Sequence, residues 1–81
     1  MKDLVAYLVE SLVDSPEEVT VTEVRDRATT VVELAVAAPD MGRIIGKGGR
    51  VIDSIRALVQ VRAAKEGRRV ELELLEAEEM R

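Results

Sequence analysis

The chain has no cysteine, no histidine, no tryptophan and no phenylalanine, and its single aromatic residue is Tyr7. Without cysteine there is no disulfide framework, no zinc thiolate and no redox pair. Without histidine the base of Ser–His–Asp and Cys–His catalysis is missing. Nothing in the chain suggests a metal or a cofactor. No apolar run is long enough to span a bilayer, and the N-terminus does not look like a signal peptide. The sequence reads as that of a cytoplasmic protein.

What remains is aliphatic and charged. Of the 81 residues, 47% are hydrophobic, which argues for a folded domain rather than a disordered chain. A chain this short hides only about 60% of its unfolded surface on folding. Aliphatic packing must hold it, since the usual staples of small domains are absent. One domain is expected over residues 1–76, followed by a charged tail over 77–81 that should fray.

The formal charge is −4, which taken alone argues against a nucleic-acid partner. Its distribution reverses that argument. Residues 43–69 hold eight basic side chains against two acidic ones, while the rest of the chain holds four basic and fourteen acidic. A polyanion responds to such a local basic segment, not to the total.

Leu4, Val5, Leu8, Val9 and Leu12 follow helical spacing, with Asp3 as the expected N-cap and Asp14-Ser15-Pro16 as the stop. Val19 to Val24 alternates and is β-branched, which predicts a strand. A polar turn over 25–28 and a second strand over 29–37 complete an antiparallel hairpin, with Val32, Leu34 and Val36 on one face. Ala38-Pro39-Asp40 opens a short helix, with Asp40 in its first turn. Gly46-Lys47-Gly48-Gly49 interrupts that helix, and a long one is predicted over 50–65, with Gly67 as its C′ residue. On the long helix Ile52, Ile55, Leu58 and Val59 form one apolar arc, and Ala57, Val61 and Ala64 form a small-residue strip on the opposite side. Residues 69–75 predict a last strand, with Glu71 and Glu73 on its polar face. The resulting class is α+β, in the order α-β-β-α-α-β. The helical crossover suits parallel pairing of the last two strands.

The informative run is Met41 to Ile52. Ile44 and Ile45 anchor the end of one helix, and Val51, Ile52 and Ile55 anchor the start of the next. The glycines between them permit tight turning and close approach of another backbone. The helix that follows begins at once, so its free N–H groups lie beside the loop, where they favour anions. Arg43, Lys47 and Arg50 add positive charge at the same edge. Together these features suit a phosphate backbone. Other glycine motifs fit poorly: a Walker A loop needs four residues between its glycines and Ser or Thr after the lysine, and the G-x-G-x-x-G fingerprint has different spacing. A plain helix–helix connector is the bland alternative, set against the apolar anchors and the three flanking or internal cations.

At these residues the sequence resembles a KH domain. Ile45-Gly46-Lys47-Gly48-Gly49-Arg50-Val51-Ile52 is similar to the family's I-G-x-x-G-x-x-I signature, with the G-x-x-G between two helices. The order of elements is similar to the type II arrangement of bacterial KH proteins: a three-stranded mixed sheet with helices packed on one face. The Ala38–Lys47 and Glu66–Val70 stretches resemble small stand-alone bacterial members. The resemblance implies a non-enzymatic protein binding single-stranded RNA, with single-stranded DNA as the related ligand. A bacterial post-transcriptional regulator or RNA chaperone would fit.

The resemblance further implies that Gly46, Lys47, Gly48 and Gly49 clamp the sugar–phosphate backbone, flanked by Arg43 and Arg50. Ile45 and Ile52 would line or support an apolar floor for bases, and Arg68 and Arg69 would stand on the groove's other rim. Both middle residues of the signature vary in the family; here the second is Gly48, and the Gly48-Gly49 pair should leave the loop more mobile and weaken each contact. The lack of aromatics fits a groove that needs no stacking platform, and predicts modest affinity, since base stacking contributes about 1–3 kcal/mol per base. Ala57, Val61 and Ala64 suggest an association face. The resemblance implies a homodimer or a larger KH-containing protein as partner, and a protein-interaction module with vestigial RNA binding is the alternative function.

Overall fold

β-Branched residues dominate the middle of the chain, and in the computed structural model, which describes residues 1–75, they form a three-stranded sheet. Strand β1 (Thr20–Asp26) pairs antiparallel with β2 (Thr29–Ala35), and β2 pairs parallel with β3 (Arg69–Leu74). Helices α1 (Lys2–Glu10), α2 (Met41–Ile45) and α3 (Arg50–Lys65) supply the other side of the core. This is the expected α+β type II arrangement. The charged tail expected over 77–81 lies outside the described residues.

The core is wholly aliphatic. Val21, Val32, Leu34, Val70 and Leu72 from the inner face of the sheet meet Val5 and Val9 of α1, Ile44 of α2, and Ile52, Ile55, Val59 and Ala63 of α3. Period-2 alternation leaves Arg69, Glu71 and Glu73 on the outer face, where all three are exposed. The helix-free side of the sheet therefore carries acid at its β3 edge, as expected for Glu71 and Glu73.

Local differences from the sequence expectation have identifiable causes. Arg25 and Asp26 extend β1 instead of turning, which leaves a two-residue hairpin loop, Arg27-Ala28, with Arg27 at φ 54°. As an edge strand β1 carries exposed charged side chains at little cost. Asp3 is not the N-cap of α1. The helix starts at Lys2, and the Lys2 N–H donates to Oε1 of Glu23 on β1 at 3.3 Å, so a strand side chain does the capping. Leu58 is not in the core but 52% exposed, and Ala63 takes the core position in its place. The buried arc of α3 is thus turned away from Leu58.

The end of α3 follows the expectation for Gly67. Its φ is 67°, the Gly67 N–H donates to the Ala64 carbonyl, and the Arg68 N–H donates to the Ala63 carbonyl at 2.9 Å. These two bonds are the Schellman closure, which satisfies carbonyls the helix leaves free. Among the described residues no helix is long and apolar enough to cross a membrane.

Candidate nucleic-acid interface

The glycine loop is built by two short-range decisions. Helix α2 is only five residues long and stops at Gly46, whose φ of 74° and ψ of 175° turn the chain sharply. A single 3-10 turn, Lys47–Gly49, follows, and α3 starts from Gly49 in the left-handed region. Gly46, Gly48 and Gly49 all have positive φ. At Gly46 glycine is needed for space as well: a Cβ there would stand 2.9 Å from Val51 Cβ and 3.0 Å from the Val51 backbone nitrogen. At Gly48 a Cβ would meet nothing within 4 Å, so that position is open to solvent or ligand.

No side chain caps α3, so its first N–H groups are directed beside the loop. Lys47 and Arg50 are exposed there, and among the described residues neither has an ion-pair partner. Arg43 is less free. Its Nη2 lies 3.1 Å from Oδ2 of Asp14, although both side chains are more than half exposed. A pair of this kind is worth about 0–1 kcal/mol, so an incoming phosphate can replace Asp14 at small cost. Ile45 is 38% exposed next to the loop, whereas Ile52 is buried beneath it.

Arg68 and Arg69 are not brought to this loop. They follow the C-terminal end of α3, about 24 Å along the helix from its start at 1.5 Å per residue. Arg69 lies on the outer face of the sheet with Glu71 and Glu73, and Arg68 donates to Thr30 Oγ1 at 3.4 Å. Ala57, Val61 and Ala64 are all exposed on α3.

Two features were missed in the sequence reading. Asp40 is not merely a helix-dipole partner: it is 2% exposed, and its two carboxylate oxygens accept the backbone N–H groups of Asp14 and Ser15, each at 3.1 Å. This anchors the chain after α1 to the start of α2. No local signal announces it, because the partners are 25 and 26 residues away. The second is a polar stripe on α3, Asp53, Arg56 and Gln60: Arg56 and Gln60 donate to the carbonyls of Leu72 and Val70 on β3, and Asp53 pairs with Arg56. Its spacing was legible, since i, i+3 and i+7 share a helix face.

The other flank of α3 is apolar. Between α1 and α3 runs an open groove of about 500 Å³, lined by Tyr7, Leu8, Leu12, Val51, Ile55 and Leu58 together with Ser11, Ser54 and Arg50. Among the described residues no three His, Cys, Asp or Glu side chains gather as a metal-binding group.

Comparison with known proteins agrees with this architecture. The family described as KhpA/KhpB, KH domain, matches residues 2–74. The RNA-binding protein KhpA of Chlamydia pneumoniae is 49% identical over 94% of this chain and 97% of its own length. The protein of the same name from Clostridium acetobutylicum is 44% identical over 93% of this chain and all of its own. That from Borreliella burgdorferi is 42% identical over 91% and 90%. No solved structure matches the chain.

Proposed function

The chain belongs to the KhpA/KhpB KH-domain family, and on that premise we propose that it binds single-stranded RNA and catalyses no reaction. The observation that carries the mechanism is the loop itself: three positive-φ glycines, open space at Gly48, and an uncapped helix start beside exposed Lys47 and Arg50. In this reading Gly46 to Gly49 let the sugar–phosphate backbone approach the protein backbone. The N–H groups at the start of α3 and the Lys47 and Arg50 charges hold phosphate oxygens. Arg43 joins them by exchanging Asp14 for a phosphate. Ile45 offers apolar contact, and Ile52 supports the loop from below. Arg68 and Arg69 act only on nucleotides further along the strand. Phosphate contacts serve single-stranded DNA equally well; the names of the relatives favour RNA. A bacterial post-transcriptional regulator or RNA chaperone is the role that fits a single groove with no aromatic platform.

Fluorescence anisotropy of short single-stranded RNA at several salt concentrations tests this, with the wild type and a Lys47→Asp/Gly48→Asp variant. Gly48 has room for a side chain, and Asp tolerates left-handed backbone better than most residues, so the variant should keep its circular dichroism spectrum. Three phosphate contacts predict a log–log salt slope of about −2 for the wild type. The folded variant should lose binding by more than about tenfold, the effect of 1.4 kcal/mol. Equal binding by both proteins would reduce the loop to a connector.

A second reading rests on the other flank of α3. Leu58, 52% exposed, lines the apolar groove with Tyr7, and Val61, 59% exposed, lies three residues further along α3. With Ala57 and Ala64 they offer a face for self-pairing or for a larger KH-containing protein. This would make the chain an interaction module in addition to, or in place of, an RNA binder.

A further inference from the structure

Residues 76–81, Glu76-Ala77-Glu78-Glu79-Met80-Arg81, carry three carboxylate side chains against one cation, and they follow on the strand that lies beside α3. Two contacts fix how that strand runs against the helix. Gln60 Nε2 donates to the Val70 carbonyl, and Arg56 Nε donates to the Leu72 carbonyl at 3.3 Å. Four residues back along α3 thus answer two residues forward along β3, so the two elements are antiparallel. Each step is about 6 Å, at 1.5 Å per helical and 3.3 Å per strand residue. The same step once more brings Ile52 level with Leu74, and Gly49 lies only about 4.5 Å further along the helix axis. Leu75 still donates to the Leu34 carbonyl, so the course of the strand is held to that point. The acidic run therefore starts at the end of the sheet that carries the glycine loop.

We propose that this acidic run is an intramolecular occupant of the glycine loop: its carboxylates pair with Lys47 and Arg50 when RNA is absent and give them up to phosphates when RNA binds. The inference rests on the RNA-binding reading and adds a regulation of that same site. Charge complementarity favours it. Lys47 and Arg50 are exposed and have no ion-pair partner among the described residues, whereas Arg25, Arg43, Arg56 and Arg62 each have a carboxylate within 3.4 Å. The uncapped start of α3 favours carboxylates on the same ground as phosphates. The other surface within reach of Leu75 is the outer face of the sheet, and there Glu33 and Glu73 stand side by side in register and repel the run. Reach sets no limit, since six extended residues span about 20 Å. A tethered competitor acts at an effective concentration near the millimolar range, so individually weak surface pairs suffice to occupy the loop. They are also weak enough for a polyanion to displace. The result is a lower affinity for any single-stranded partner, most of all at low salt.

The test keeps the full chain. Glu76→Gln/Glu78→Gln/Glu79→Gln removes the acidic charge of the run at positions beyond the last strand. Glu33→Gln/Glu71→Gln/Glu73→Gln is the control, since it removes the same number of charges from the outer face of the sheet. Circular dichroism confirms that both stay folded. In fluorescence anisotropy with a uridine heptamer at about 50 mM salt, the first variant should bind about three- to tenfold tighter than the wild type, and the control less than about twofold tighter. The gap should narrow at about 200 mM salt, where the exposed pairs are screened. In ¹H–¹⁵N spectra of the RNA-free proteins, the backbone amides of residues 47–50 should differ between the wild type and the first variant, and not between the wild type and the control. Unchanged RNA affinity or unmoved loop amides in the first variant would make the run a solvated segment and leave the RNA-binding reading standing. An equal gain in both variants would assign the effect to total charge and overturn the inference in the same way. If the heptamer binds none of the three proteins, the RNA-binding reading falls and the inference with it.

Discussion

The buried carboxylate of Asp40 accepts the backbone N–H of Asp14 at 3.1 Å, tying the chain just before α2 to the segment that leaves α1. The second oxygen takes the Ser15 N–H, and Asp14 in turn holds Arg43 through its own carboxylate. A short connected set of contacts thus links the α1–β1 connection to the helix that ends in the glycine loop. Five residues of α2 cannot form a stable helix alone, so such tertiary anchoring is needed to aim the loop.

Asp40→Ala should therefore destabilise the protein by about 1–3 kcal/mol, because two partly buried N–H groups lose their acceptor. Urea unfolding monitored by circular dichroism reads the change in midpoint. Asp14→Ala keeps those N–H groups paired and removes only the exposed contact to Arg43, so it should cost at most about 1 kcal/mol. Equal midpoints for the two variants would mean that the buried carboxylate is not the anchor.

Gly46 and Gly48 should respond differently to the same substitution. Both have positive φ, which costs an alanine about 1–2 kcal/mol. At Gly46 the added Cβ also collides with Val51, whose backbone nitrogen cannot move without disturbing the first turn of α3. At Gly48 there is open space. Gly46→Ala should lower the unfolding midpoint clearly more than Gly48→Ala, and should weaken RNA binding even where the protein remains folded. Indistinguishable midpoints would contradict the geometry of the loop.

Glu23 links the sheet to the start of α1, and the pairing has a pH signature. Its carboxyl is held below the ordinary glutamate value of 4.5, first by the hydrogen bond from Arg25, with the Lys2 N–H and the N-terminal charge adding to the effect. A group whose folded pKa is depressed contributes stability that is fully present above its unfolded pKa. That contribution is lost as pH falls through the lower folded value. Glu23→Gln should thus be slightly less stable than the wild type at neutral pH, and the two should converge well below pH 4.5. Because the Arg25–Glu23 pair is on the surface, the difference should stay within about 1 kcal/mol. Thermal unfolding from pH 3 to 7 reads it, and parallel curves would remove Glu23 from any role in acid stability.

Much of this arrangement was legible before any coordinates. The limits of α3, the parallel β2–β3 pairing, the turn at Gly67 and the loop between two helices all follow from periodicity and glycine placement. Those signals are local: an apolar period or an unusual φ leaves its mark within a few residues. The features that escaped depend on distant partners. Lys2 meets Glu23 and Asp40 meets Asp14, and no spacing rule announces either pair. Leu58 escaped for a related reason. Its helical angle borders the apolar arc, and only the packing of α1 and β3 decides which side of that arc is buried. For the candidate site, Arg43, Lys47 and Arg50 lie at or beside the glycines because they are close in sequence to the turn that ends α2 and starts α3. Arg68 and Arg69, which the resemblance puts on the groove's other rim, follow the C-terminal end of α3, and the length of that helix sets their distance from the loop.

The exposed face of α3 leads to the last prediction. Leu58 and Val61 are three residues apart on neighbouring turns, and Ala57 and Ala64 beside them are small enough to let another helix approach closely. Leaving two large aliphatic side chains half in water costs the monomer solvation that a partner would recover, at about 25 cal/mol per Å² buried. Val61→Glu places a charge on this face without touching the core or the glycine loop. If the face self-pairs, sedimentation at rising concentration should show wild type moving toward twice the 8.9 kDa chain mass, and the folded variant should remain at one. RNA binding per chain should change little, because the substitution leaves the glycine loop untouched. If both proteins sediment as monomers, self-pairing through this face is excluded. A different folded partner must then be sought for the groove between α1 and α3.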